Sequence, residues 1–189
     1  MSPFEYVIVL VSIILGLGIT TILTGVADLI KHVTKRKLYA PYLIWIFLVF
    51  VLHFHEWWDS YSLRSIETWT LPIFLFIILY PINLYILAHL LFPSDTRQGT
   101  FDMEEFYWSN YPKFFISAIF LVLLSIIHNL TIEGLRLQDQ IIHFSVLIIS
   151  LTIVLTKTKS SLIHTAVSLL LLVIMLASLF LVRESLIIQ

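Results

Sequence analysis

The stretch from Leu162 to Val182 reads Leu-Ile-His-Thr-Ala-Val-Ser-Leu-Leu-Leu-Leu-Val-Ile-Met-Leu-Ala-Ser-Leu-Phe-Leu-Val, without one Asp, Glu, Lys or Arg. About 20 such residues coiled as an α-helix cross the roughly 30 Å hydrocarbon core of a bilayer. Phe114 to Ile127 is a second run of the same kind. Both are continuous. Strands of a membrane barrel would alternate apolar and polar residues with a period of two. In lipid, backbone N–H and C=O groups must pair inside the protein, so these runs predict helices.

Working outward, four more segments qualify. The six predicted helices cover residues 4–30, 41–59, 70–92, 112–133, 139–156 and 161–182, in a single domain spanning 1–189. The whole chain has 189 residues, 59% of them hydrophobic and 12% charged. Soluble domains carry about 25% charged residues, and a chain this short has too little interior to hide so much apolar surface. Pro41, Pro72 and Pro112 fall near predicted helix starts, where a missing N–H costs nothing. Pro81 lies inside the third helix and predicts a kink. Residues 101–111 mix acids and aromatics, and read as no more than an interfacial helix. The apolar N-terminus lacks a preceding basic residue and a small-residue cleavage site, so the expectation is a retained first helix.

Eight of the eleven basic residues (Lys31, Lys35, Arg36, Lys37, Arg97, Lys113, Lys157 and Lys159) belong to the first, third and fifth connections. The positive-inside rule places those connections in the cytoplasm, with both termini outside. The fold expected is therefore an all-α, six-helix transmembrane bundle, N-out and C-out. Trp57, Trp58 and Trp69 would sit at the outer boundary. Tyr39, Tyr42, Trp45, Trp108 and Tyr111 would sit at the inner one, as an anchoring belt.

The absence of cysteine excludes disulfides, Cys-based zinc sites, iron–sulfur clusters and thiol nucleophiles within the chain. A net charge of -1 gives no electrostatic footprint for nucleic acid. The expected partner is the lipid bilayer, and a membrane-protein partner or a homo-oligomer is compatible with it.

The opening Ser-Pro-Phe-Glu-Tyr-Val-Ile-Val-Leu-Val-Ser-Ile-Ile-Leu-Gly-Leu-Gly (2–18), with His53, Trp57, Trp58, Leu63-Arg64 and Trp69-Thr70, resembles a family of uncharacterised bacterial multi-helix membrane proteins. The resemblance would span most of the chain. It implies a bacterial inner membrane and no particular activity.

Ionisable groups inside a membrane are costly and mark candidate functional sites. His53, His55, Glu56 and Asp59 fall near the outer end of the second helix. His128, Asn129 and Glu133 fall at the same depth on the fourth, and His143 near the outer end of the fifth. Glu5 opens the first. Spacings of three and four put His53 with Glu56, Glu56 with Asp59, His55 with Asp59, and Asn129 with Glu133 on shared helix faces. The expectation is a polar cavity in which His53 or His55, Glu56 and His128 meet. His53, His55, His128 and His143 are also candidate ligands for a metal or haem iron, although no His-Glu-x-x-His motif is present and no cofactor can be named. Polar residues are sparse at mid-depth (Thr20, Thr21, Thr24, Asn83 and Ser125), and His89, His164 and Asp28 lie nearer the inner end. That layout suggests an outer vestibule rather than a continuous wire. Gly16, Gly18, Thr21 and Gly25 form a small-residue pattern that predicts close helix packing. The leading reading is a channel, transporter or membrane-complex component. The alternative is a membrane redox or metal protein using the outer His/Glu cluster.

Overall fold

The computed structural model describes residues 2–32, 38–93 and 102–181. Six helices are long and apolar enough to cross a membrane, and no strand occurs among the described residues. They are α1 (Pro3–His32), α2 (Ala40–Asp59), α3 (Leu71–Leu90), α4 (Met103–Thr131), α5 (Ile141–Thr156) and α6 (Ser161–Leu181). Two short 3-10 turns complete the elements of the described residues: η1 (Ser60–Ser65) after α2 and η2 (Leu137–Gln140) before α5. The 16 residues of α5 are short for a crossing, and η2 extends them to a 20-residue span.

Local chemistry fixes the ends. Ser2 and Glu5 form a reciprocal capping box, with Ser2 N–H donating to Glu5 Oε2 (2.8 Å) and Glu5 N–H to Ser2 Oγ (3.2 Å). Glu5 therefore closes the first turn of α1. Asp102 caps α4, its Oδ1 accepting from the N–H groups of Glu104 (2.8 Å) and Glu105 (3.0 Å). This cap moves the start of the fourth helix well upstream of residue 112. Residues 103–111 are its first turns, with Met103, Tyr107 and Tyr111 buried along one face. Pro112 lies in the interior of α4, and α3 likewise continues through Pro81.

Helices α1, α2 and α3 pack on one another; α3 and α2 pack on α4; α5 lies on α4 and α6 on α2. Consecutive helices run antiparallel, so the bundle has two ends. One carries η1 and η2, and is called the η end below. The other is aromatic. There Tyr42, Trp45, Tyr107, Tyr111, Phe114 and Phe115 are all buried. Trp45 meets Phe115 edge-on, and Tyr42 donates to the Leu91 carbonyl across the α2–α3 contact (2.6 Å). Tyr39, just ahead of α2, is buried too, which raises its phenol above the usual tyrosine range. These rings are core, not the lipid-facing belt expected of Tyr39, Tyr42, Trp45 and Tyr111. Trp57 and Trp58 at the η end do face outward, with 52% and 51% of their surface exposed.

At mid-depth α3 and α4 are joined by a closed pair. Asn83 Nδ2 donates to the Ser117 carbonyl (2.9 Å), and Ser117 Oγ donates to Asn83 Oδ1 (3.0 Å). The small residues of α1 divide. Gly18 abuts the His53 ring and Gly25 the Phe92 ring, each so closely that a methyl group would overlap it. Gly16 has open space around it. Two residues turn a helix by about 200°, so Gly16 and Gly18 cannot serve one interface. Thr21 donates its hydroxyl to the Leu17 carbonyl within α1 (3.0 Å).

Elsewhere the surface is apolar. Leu155, Leu162, Ile148 and Val173 are among the many large side chains exposed along the spans. Water would penalise that surface and lipid does not, so the chain is a small integral membrane protein.

Candidate functional site at the η end

The last turn of α2 brings His55, Glu56 and Asp59 to the η end, where η1 folds the chain over them. Ser60 starts that fold, donating to the Trp57 carbonyl (2.7 Å). Ser62 then reaches across to α4 and donates to Glu133 Oε1 (3.0 Å). Arg64 contributes within the turn, hydrogen-bonded to the Tyr61 hydroxyl and stacked over its ring. The result is a roofed cavity of about 80 Å3, enough for several waters.

Its walls come from four elements. Helix α2 supplies His55, Glu56 and Asp59; η1 supplies Ser60 and Ser62; α3 supplies Tyr80; α4 supplies Ser125, His128 and Asn129. Buried Ile77 and Leu124 are its apolar lining. Two imidazoles, two carboxylates, a phenol, an amide and three hydroxyls thus surround one small space inside a membrane bundle. The Asn83–Ser117 pair lies closer to the bundle centre and has its hydrogen bonds closed on itself.

Of the residues marked in the sequence, His55, Glu56, Asp59, His128 and Asn129 come together at this cavity. Glu133 is exposed at the end of α4 and clasps η1. His53 does not join them. It is completely buried against Gly18 of α1, its Nδ1 donates to the Val49 carbonyl (2.7 Å), and its Nε2 has no hydrogen-bond partner. His53 and His55 are two residues apart on a helix, hence on nearly opposite faces.

His143 approaches α4 from α5. Its Nε2 lies 3.1 Å from Ser125 Oγ, and its buried Nδ1 has no partner. One turn away, Asn129 Nδ2 donates to Gln140 Oε1 (2.9 Å). Ser125 and Asn129 thus touch the cavity and α5's approach alike. A metal or haem reading needs several of His53, His55, His128 and His143 to converge. Only His55 and His128 line the same cavity, and among the described residues no three His, Asp or Glu side chains are placed to hold a metal ion.

A second histidine cluster forms at the aromatic end. His164 is fully buried among Tyr107, Trp108, Tyr111 and Phe115, all meeting it edge-on. Its Nε2 lies 2.9 Å from the Thr158 carbonyl, which can only accept, so Nε2 carries the proton. Nδ1 then accepts from the Tyr107 hydroxyl (2.7 Å). Both ring nitrogens are satisfied. The Thr158 carbonyl is presented by the left-handed backbone of Lys157 (φ 50°), a strained conformation for a non-glycine residue. This arrangement ties α4, α6 and the α5–α6 connection together and leaves no site open.

Tyr80, Ser62 and Gln140 were not marked by the sequence. Tyr80 hides in an apolar run, and Ser62 and Gln140 lie in 3-10 turns without helical periodicity. In comparisons with known proteins, no family model, no curated protein sequence and no solved structure matches the chain.

Proposed function

We propose that this small integral membrane protein is a carrier or channel that admits a small polar solute or ion through the vestibule at the η end. The observation that supports the reading is the cavity itself: about 80 Å3 of space lined by His55, Glu56, Asp59 and His128 inside a bundle whose outer surface is apolar. Ionisable groups at membrane depth are costly, and they recur along substrate and ion pathways. In this reading the η end faces the outer side of a bacterial inner membrane, an orientation supported by the basic residues of the first, third and fifth connections and a location implied by the N-terminal resemblance. The apolar residues Ile77 and Leu124 line the cavity, and nearer the bundle centre the Asn83–Ser117 pair clamps α3 to α4 with two mutual hydrogen bonds. Passage therefore requires α3 and α4 to move relative to one another.

The test is flux in sealed proteoliposomes, with small ions and neutral solutes compared against protein-free vesicles. Protein-dependent flux that is lost in Glu56→Gln supports the reading. Flux equal to that of empty vesicles for every solute rejects it.

Membership of a larger membrane complex is favoured by a different observation. Helix α5 packs chiefly on α4 and buries only Ser150 and Ile153 along its length, leaving most of its surface for lipid or another protein. The mass of the detergent-extracted particle distinguishes a lone chain from an assembly.

A further inference from the structure

Three neutral groups on the cavity wall, Ser60, Ser62 and Asn129, share a property that its volume and charge do not reveal. Ser60 has committed its hydroxyl proton to the Trp57 carbonyl (2.7 Å), and Ser62 has committed its own to Glu133 (3.0 Å). Asn129 directs its Nδ2 to Gln140 Oε1 (2.9 Å). Each thus spends a donor on the protein. What Ser60 and Ser62 keep for the cavity are lone pairs. The side-chain oxygen of Asn129, Oδ1, makes no hydrogen bond within the described protein and is not among its buried unpaired atoms, so it is left to the space that Asn129 lines. Glu56 and Asp59, when ionised, are acceptors only. The wall is therefore rich in acceptors. Among its polar groups Tyr80, Ser125, His55, His128 and the second N–H of the Asn129 amide retain protons to offer.

We propose that the vestibule selects a small protonated amine, and that Gln140, which does not line it, is a positioning residue that keeps the Asn129 oxygen turned toward the solute. An ammonium group has several N–H donors and no acceptor, the complement of this wall. A carboxylate or phosphate would meet like charge wherever Glu56 or Asp59 is ionised, and would leave the lone pairs of Ser60, Ser62 and Asn129 without a donor. Gln140 has 0% of its surface exposed, and it holds Asn129 even though its own Nε2 is buried without a partner. Three residues on, His143 presents a buried unpaired Nδ1. The inference rests on the vestibule reading above, and it adds the chemical class of the solute.

The experiment is calorimetric binding to the full chain in nanodiscs, with methylammonium, potassium and acetate as probes. Wild type should bind methylammonium at least tenfold more tightly than potassium, which is a cation without N–H donors, and should not bind acetate. Gln140→Met, close in shape but unable to accept from Asn129, should weaken methylammonium about tenfold. Gln140→Glu keeps an acceptor oxygen and should restore it. Acetate binding as well as methylammonium in wild type would overturn the polarity inference and leave the vestibule standing. Equal affinities in wild type and in a folded Gln140→Met variant would remove the role of Gln140. Binding of none of the three probes would count against the vestibule itself, and this inference would fall with it.

Discussion

Replacing Gly18 by alanine tests how α1 meets α2. A methyl group at Gly18 would lie inside the His53 ring, whose own position is fixed by its bond to the Val49 carbonyl (2.7 Å) and by complete burial. The ring cannot swing away without losing that bond, so the helices must separate. Overpacking of this kind costs about 1–3 kcal/mol. Alanine recovers up to roughly 1 kcal/mol of helix propensity relative to glycine. The net expectation for Gly18→Ala is a loss of about 1–2 kcal/mol. With a chain of this size, that lowers the melting temperature by roughly 2–8 °C. Gly16→Ala is the internal control, because nothing lies within 4 Å of the added methyl. It should be neutral or slightly stabilising. The assay is thermal unfolding of the detergent-purified protein followed by tryptophan fluorescence. A double variant, Gly18→Ala with His53→Ala, should recover part of the loss, since the added methyl then meets space. Equal melting temperatures for the Gly16 and Gly18 variants, or no recovery in the double variant, would refute the proposed contact.

Other expectations follow from single contacts. Asn83→Leu leaves the Ser117 hydroxyl without its side-chain acceptor at mid-depth, and should cost about 0.6–1.7 kcal/mol, the range for interhelical hydrogen bonds in membranes, read as a lowered melting temperature. His164→Phe strips partners from both the Tyr107 hydroxyl and the Thr158 carbonyl. At about 1–3 kcal/mol for an unsatisfied buried group, it should destabilise the aromatic end and speed tryptic cleavage at Lys157 and Lys159. Ser62→Ala releases η1 from Glu133; this exposed bond should shift the melting temperature by little, but should speed hydrogen exchange at the Ser60–Ser65 amides.

The number and type of helices were legible because lipid imposes one simple demand, an unbroken apolar run with internally paired backbone. Leu162–Val182 meets it without help from any neighbour. The start of α4 was harder to read. Glu104, Glu105 and Ser109 disguise a face on which Met103, Tyr107, Tyr111, Phe114 and Phe115 are all buried, at spacings of four, four, three and one. That face is matched to protein, and an apolar-run criterion looks for lipid. The same distinction moved Tyr42 and Trp45 from belt to core. Composition describes how amphipathic a ring is, and only packing decides whether its neighbour is a headgroup or another ring. At the site, depth along each helix was readable from about 1.5 Å per residue, which placed Glu56 and His128 at one level. Rotation about the helix axis was not. The choice between His53 and His55 depended on which face of α2 meets Gly18, a contact 35 residues away in sequence. Gln140 gave no signal, because its hydrogen bond with Asn129 forms only when η2 folds against α4.

The most direct test of the central claim uses a convenience of the chain, which contains no cysteine. His128→Cys and Ser117→Cys place one thiol each, the first on the cavity wall and the second in the closed mid-depth pair. Sealed vesicles are treated with a small, charged, membrane-impermeant thiol reagent, and labelling is read by mass. A water-filled vestibule predicts labelling at position 128 from the side facing the η end, slowed by methylammonium, and none at position 117. Absence of labelling at 128 from either side, with the variant folded, would contradict the account, because the cavity would then be sealed from water.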